Sequence, residues 1–356
     1  MEPTDGFSMI LGNFRNQTNS SDQYCPRNNI LKTTVFPILY SLLFLLGFIL
    51  NCLAAWVFFS IPSRSHFIIY LKNIVVADIL MTLSFPFKIL SDSNMASVGL
   101  RVFVCRVSSV VFYFTMYISI LFFGFISIDR CKKTLYPFTG TSPRRLTNRK
   151  LLSALIWVSL LVLSLPNMIL TNKTPKSDQF SCSSLKTELG LKWHEVVNHI
   201  CQVIFWVNLI AVVVCYILIT KELFNSFART SVLNTAAQSN QRKRRVRLNV
   251  FLVLAVFFIC FVPFHFARVP YTLSQTRELD FDCRQKLIFF LVKESTLWLS
   301  ALNSLLDPLI YFFLCNSFRD SLFKILRLSP GRCGALQYTT DAAADSGTKE
   351  NRSTQL

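Results

Sequence analysis

Acidic side chains are scarce in this 356-residue chain: 19 Asp and Glu stand against 37 Lys and Arg, for a formal net charge of +18. Such an excess can mark a nucleic-acid binder, but that requires a solvent-exposed domain to carry the basic face. No polar stretch here is long enough to build one, so no nucleic-acid partner is expected. Residues 1–32 lack the basic, apolar and small-residue pattern of a cleavable leader, so the first apolar segment is expected to insert uncleaved and Met1 to be retained. No repeated halves with broken midplane helices are visible, which argues against a transporter or channel.

What is present is hydrocarbon. Apolar residues make up 52% of the chain and 34 residues are Phe, more than a soluble globular chain usually carries. Seven apolar stretches, at about 33–60, 67–91, 102–128, 151–171, 197–220, 248–273 and 287–315, reach the roughly 20 residues needed to cross a bilayer core. The fold class predicted is an all-α membrane protein, a seven-helix transmembrane bundle. The segment "NSFRDSLFKIL" places Phe318, Leu322 and Ile325 on one face and predicts a short amphipathic eighth helix on the membrane surface. The expected organisation is an outer segment 1–32, a bundle 33–315, a surface helix 316–328 and a disordered tail 329–356.

Orientation follows from basic loops. Lys132, Lys133, Arg144, Arg145 and Arg149 follow the third span, and Arg229 and "RKRRVR" follow the fifth, so both loops are assigned to the cytoplasm and the amino terminus to the outside. The remaining positive excess suits anionic lipid headgroups. Glycosylation sequons at Asn16, Asn19 and Asn172 then fall outside, whereas the one at Asn351 falls inside and goes unused. Cys25, Cys105, Cys182 and Cys283 also fall on the oxidising side, where four cysteines allow three pairings that the sequence does not separate.

Polar groups at membrane depth are costly and mark candidate sites. Asn51, Asp78, Asn303 and Asp307 lie mid-span. With Ser119 they form either a cation site, with sodium the candidate at Asp78, Ser119, Asn303 and Asp307, or interhelical hydrogen-bond glue. In the sixth span His265, Arg268 and Thr272 share a helical face, and Pro263 kinks the helix by depriving the Ile259 carbonyl of its donor. Lys293, Arg101, Arg106 and Lys186 converge on the same mouth. Tyr113 and Tyr117, one turn apart, offer an aromatic wall, while His194 and Asn198 open the fifth span. Cations above an aromatic wall suit a ligand with phosphates and a flat ring. One charge pair at about 4 Å is worth on the order of 4 kcal/mol at an effective dielectric near 20, before desolvation.

Asn51, "VVAD" ending at Asp78, Cys105, Asp129 with Arg130, Trp157, "CFVP" with Pro263, and "DPLIY" together resemble the rhodopsin-like (class A) G-protein-coupled receptors. More narrowly, "FIIYLKN", "LSLPNMILTN", "VPFHFAR", "PYTLSQTR" and "KESTLWL" resemble the purinergic nucleotide receptors, in the branch containing the platelet ADP receptor. The resemblance implies a multi-pass plasma-membrane receptor, not an enzyme. Its expected ligand is an extracellular nucleotide, ADP foremost, and its responder a Gi-class G protein that lowers cyclic AMP. It implies a ligand set of Arg101, Tyr113, Tyr117, Lys186, His194, Asn198, His265, Arg268, Gln275 and Lys293. It implies activation and coupling roles for Asp129, Arg130, Tyr216, Phe261, Pro263, Asp307 and Tyr311. No cofactor is expected beyond the candidate allosteric sodium.

Four positions depart from the wider family: Cys131 replaces the usual Tyr after Asp-Arg, Phe261 a Trp, Asp307 the Asn of Asn-Pro, and Asn208 a Pro. The last three agree with the purinergic branch and Cys131 does not. Alternatives are a nucleotide sugar or a lysophospholipid on the same fold. An opsin would need a span-seven lysine where Ala301 stands, and an intramembrane enzyme would need a catalytic pair beyond the aspartates the receptor pattern already uses. In the tail, Cys315 or Cys333 is a candidate palmitoylation site. Thr339, Thr340, Ser346, Thr348 and Ser353 are candidate phosphorylation sites that would recruit arrestin, and Thr354, Gln355 and Leu356 match a PDZ-domain ligand.

Overall fold

The computed structural model describes residues 30–60, 66–136, 143–175, 180–230, 236–276 and 281–325. Among them every regular element is helical, and seven helices are long and apolar enough to cross a membrane. We label these α1 (Leu31–Ser60), α2 (His66–Asp92), α3 (Val98–Leu135), α4 (Pro143–Ile169), α5 (Glu188–Thr230), α6 (Ala236–Thr276) and α7 (Cys283–Phe313). The short α8 follows (Asn316–Ile325), ending where the described residues end. The predicted seven-helix bundle and short eighth helix are thus present. The expected tail, Asn16, Asn19, Cys25, Cys333 and the PDZ-like terminus lie outside the described residues.

Several helices outrun their apolar stretches. Hydropathy marks where the hydrocarbon ends, but polar side chains continue a helix beyond it. α5 therefore begins at Glu188 and α6 at Ala236, each about a dozen residues or less before the apolar run. On α5, Val203, Val207, Ile210, Val214 and Ile217 are exposed at helical spacing, the stripe expected of a lipid-facing surface. The opposite face packs Phe205, Val212 and Ile219 into the core.

Prolines lie inside α6 and α7, and on α7 a neighbouring side chain takes up the carbonyl that one of them frees. Pro308 cannot donate to the Ser304 carbonyl, and Asn51 Nδ2 donates to it instead at 2.6 Å, tying α1 to α7. Near Pro263, Ser300 Oγ donates to the Cys260 carbonyl at 2.8 Å and Gln202 Nε2 to the His265 carbonyl at 3.0 Å. Trp157 Nε1 donates to Asn73 Oδ1 at 2.8 Å, joining α4 to α2. At position 208, where Pro would remove a donor, Asn208 Nδ2 donates to the Ile120 carbonyl at 2.7 Å and packs over Gly124.

A disulfide joins Cys105 on α3 to Cys182 in the α4–α5 loop, with Cα atoms 5.3 Å apart. The loop is folded back on itself by bonds from the Lys173 N–H to the Leu185 carbonyl and from the Thr187 N–H to the Leu170 carbonyl. Cys283 is also disulfide-bonded, and Asn172 is exposed on this loop.

Candidate functional site: a cationic cavity under the disulfide loop

The disulfide draws its loop across the end of the bundle and roofs a cavity of about 560 Å³, with Cys105, Ser181, Cys182 and Lys186 on its wall. That size suits one small organic ligand. Six cationic side chains line it, Lys32, Lys88, Arg101, Lys186, Arg268 and Lys293, against two carboxylates, Asp92 and Glu294. A positive surplus in a confined, partly apolar space favours an anion.

Arg268 is only 8% exposed. Its Nη1 donates to the Tyr117 hydroxyl oxygen at 3.0 Å and its Nη2 to Asn198 Oδ1. The guanidinium carbon sits 4.9 Å from the Tyr113 ring centroid and 5.5 Å from that of Phe264, within cation–π reach. Neutral oxygens and aromatic faces hold the charge in place without neutralising it. No carboxylate pairs with Arg268 among the described residues.

Below Arg268 the contacts continue as a directed chain. His265 Nδ1 lies 2.8 Å from the Phe261 carbonyl, which can only accept, so Nδ1 carries the proton. Nε2 is then the acceptor for the Tyr117 hydroxyl 3.0 Å away. The polarity runs from Arg268 through Tyr117 and His265 to the backbone of Phe261, two residues before Pro263. His265 is fully buried and stacks on Phe205 at a centroid distance of 3.6 Å. It thus lies beneath the cavity rather than on its wall.

On the opposite wall the cations are compensated. Glu294 pairs with adjacent Lys293 and with Lys88 at 2.9 Å, and Lys88 also pairs with Asp92 at 2.9 Å. Lys293 also lies 4.7 Å from the Tyr271 ring centroid. In the loop, Lys186 Nζ donates to Asn167 Oδ1 at 3.2 Å. Burial, and then repulsion from Arg268, pushes its ammonium down to about 8.

Of the residues singled out in the sequence, Arg101, Tyr113, Tyr117, Lys186, His194, Asn198, Arg268 and Lys293 all line this cavity. Arg106 is not on its wall, and the Gln275 side chain lies outside the described residues. Lys88, Asp92 and Glu294 were not anticipated. The available signals were the i,i+4 spacing of Lys88 and Asp92 and the Glu directly after Lys293, but their convergence depends on α2 meeting α7.

At mid-bundle, Asn51, Asp78, Ser119, Asn303 and Asp307 are fully buried. Asp78 Oδ1, Ser119 Oγ, both Asp307 oxygens and both polar atoms of Asn303 lack a hydrogen-bond partner, while the Tyr311 hydroxyl faces Asp78 Oδ2 at 3.5 Å. Orphaned buried oxygens are expensive, and oxygen donors are what a hard cation takes. The residues fit a sodium ion. At the far end of the bundle, Arg130 lies 3.9 Å over the Phe67 ring. Asp129 reaches His66 at 3.3 Å and Lys133 at 3.0 Å, and Tyr216 is buried in the core on α5.

Comparison with known proteins agrees with this arrangement. Residues 50–311 match the seven-transmembrane receptor family model of the rhodopsin family. The chain is 50% identical over 302 residues to human purinoceptor 13, covering 84% of this chain and 83% of that one. It is 46% identical over 305 residues to bovine purinoceptor 14, covering 85% and 89%. It is 42% identical over 298 residues to mouse G-protein coupled receptor 87, covering 83% and 81%. Seven membrane-length helices, a cationic cavity at one end, and a family match spanning most of the bundle lead to one assignment: the chain is a multi-pass membrane receptor, not an enzyme, and belongs to the rhodopsin family, in its purinoceptor branch.

Proposed function

We propose that this protein is a plasma-membrane receptor, with its amino terminus outside, for an extracellular nucleotide, ADP foremost, and that it signals through a Gi-class G protein to lower cyclic AMP. The observation that carries the reading is Arg268, a buried guanidinium set over Tyr113 with no carboxylate partner among the described residues, inside a cavity where cations outnumber carboxylates. Purinoceptor relatives at 46–50% identity support the same ligand class.

The geometry suggests how binding is transmitted. Phosphates reaching Arg268 on α6 and Lys293 on α7 would compete with Tyr117, Asn198 and Glu294 for the two cations. Loosening Arg268 from Tyr117 disturbs the chain to His265 and Phe261 beside the Pro263 kink. Drawing α6 and α7 together at the cavity end then tilts α6 and opens the far end near Arg130 and Tyr216. Only a ligand that binds this second packing more tightly drives the shift. Sodium would be held by Asp78, Ser119, Asn303 and Asp307, where it supplies the positive charge that two buried carboxylates lack.

The test is a cyclic AMP assay on expressing cells challenged with ADP, ATP, UDP-glucose and a lysophospholipid. ADP is expected to lower cyclic AMP at the lowest concentration, and a Gi-inactivating toxin to abolish the effect. Response to the lysophospholipid alone would overturn the nucleotide reading, and an ADP response indifferent to the toxin would overturn the Gi assignment.

A further inference from the structure

The cavity is charged unevenly from wall to wall. Around Arg268 the positive charge is held by neutral groups: its donors reach Tyr117 and Asn198, and Lys186 donates to the Asn167 amide oxygen. On the wall where α2 meets α7, two ammonium groups meet two carboxylates. Glu294 uses both of its oxygens, Oε2 on Lys88 at 2.9 Å and Oε1 on Lys293, and Lys88 also reaches Asp92 Oδ2 at 2.9 Å. All four side chains line the cavity and are largely withdrawn from solvent. Lys88 is held further by the ring of buried Tyr40, whose centroid lies 5.3 Å away. A tie between two helices accounts for one such pair. It does not account for a second carboxylate on Lys88, which brings this wall to zero formal charge. The other formally charged residues on the cavity wall, Lys32, Arg101, Lys186 and Arg268, are all cations.

We propose that Asp92 and Glu294 set how many phosphates the cavity accepts, admitting a nucleoside diphosphate and disfavouring a triphosphate; the proposal rests on the nucleotide reading above. A diphosphate that reaches Arg268 and Lys293 displaces one partnership, that of Lys293 with Glu294, and Glu294 keeps Lys88. A third phosphate extends the anion along this wall, where Glu294 bridges Lys293 to the next cation, Lys88. To use Lys88 it must displace Asp92 as well as Glu294. Two carboxylates are then left without cations in a confined space beside a phosphate, where like charges repel more strongly than in water and an unpaired charge is costly. Neither carboxylate needs to touch the ligand. Both act through the lysines they hold, as positioning residues. Neutralising either one leaves Lys88 with charge to spare, from which a triphosphate gains more than a diphosphate because it carries the additional anionic group.

The test is displacement of radiolabelled ADP from membranes carrying the full-length receptor. The competitors are unlabelled ADP and an ATP analogue whose β,γ-bridging oxygen is a methylene, so that hydrolysis cannot turn it into ADP. The parent is expected to hold ADP more tightly than the analogue by about tenfold or more. Glu294→Gln and Asp92→Asn keep the side-chain shape and remove the charge; in each the ratio of the two affinities is expected to narrow by about tenfold, with the analogue gaining more than ADP. A general loosening of the bundle weakens both nucleotides together and leaves the ratio in place. Glu195→Gln, on α5 and not on the cavity wall, should keep the parent ratio. The parent alone supplies a second measurement: capping the analogue's terminal phosphate as its methyl ester removes one charge and adds bulk, and is expected to tighten binding about threefold. Weaker binding of the capped analogue would show a limit of size rather than charge and overturn the proposal whether or not the variants fold. So would an unchanged ratio in both variants, or an equal narrowing in Glu195→Gln. A parent that binds ADP while giving any of these results leaves the nucleotide reading standing; a parent that binds neither nucleotide overturns both.

Discussion

Arg268 is costly where it sits, and it is tolerated because Tyr117, Asn198 and three aromatic faces share its charge. A phosphate competes for the same donors, so Arg268→Ala is expected to weaken ADP potency roughly 100-fold, on the order of 3 kcal/mol, with surface expression unchanged. An unaltered dose–response curve would remove the residue from the site. Lys293→Ala should also weaken potency, and the double variant should lose less than the combined single losses if both cations grip one phosphate group; full additivity would assign them separate roles. Lys186 supplies a pH signature. Its lysine value is depressed to about 8, so its charge is present below that value and is lost as pH rises through it. ADP affinity should therefore fall between about pH 7.5 and about pH 9, by about eightfold at most, and Lys186→Arg should flatten the fall. For folding the sign reverses: above about 8 the unfolded chain holds the extra proton, so this residue's contribution to stability rises with pH. At this scale the cations were legible because charge at membrane depth is conspicuous in a sequence. The compensating carboxylates were not, because Glu294 acquires its meaning only when Lys88 arrives from another helix.

Between elements, side chains replace what prolines remove. Asn51 takes the carbonyl freed by Pro308, and Asn208 ties α5 to Ile120 on α3. The second contact explains Gly124: a Cβ there would lie 1.8 Å from Asn208 Oδ1, so any side chain forces the amide away from its bond. Gly124→Ala is expected to cost about 1–2 kcal/mol, read as a lower thermal midpoint of the purified receptor. The cost should shrink in an Asn208→Ala background; an equal cost in both backgrounds would place the strain elsewhere. The sequence made the existence of all seven spans legible, since it rests on local composition. Helix ends were less so, because α5 and α6 extend on polar residues that carry no hydropathy signal. The pairing of Cys105 with Cys182 was open among three choices and was resolved only by the 5.3 Å approach of their Cα atoms.

Taken as a whole, the molecule separates its chemistry by depth: an anion-attracting cavity at one end, orphaned oxygens at the centre, and Arg130 and Tyr216 at the other end. The central cluster predicts that exchanging sodium for a bulky organic cation shifts agonist affinity in the parent and not in Asp78→Asn; sodium-independent binding in the parent would leave those residues a purely structural part. The relay of Tyr117 and His265 connects the cavity to the Phe261 carbonyl near Pro263, so Tyr117→Phe should reduce maximal signalling more than it reduces binding. The claim on which the rest depends is that the cavity around Arg268 holds a nucleoside diphosphate. Equilibrium binding of radiolabelled ADP to membranes carrying the parent or Arg268→Ala, at matched receptor number, tests it most directly. Saturable binding to the parent, displaced by unlabelled ADP and reduced roughly 100-fold in affinity in Arg268→Ala, is the predicted result; no saturable ADP binding to the parent, or equal affinity in the two, would contradict it.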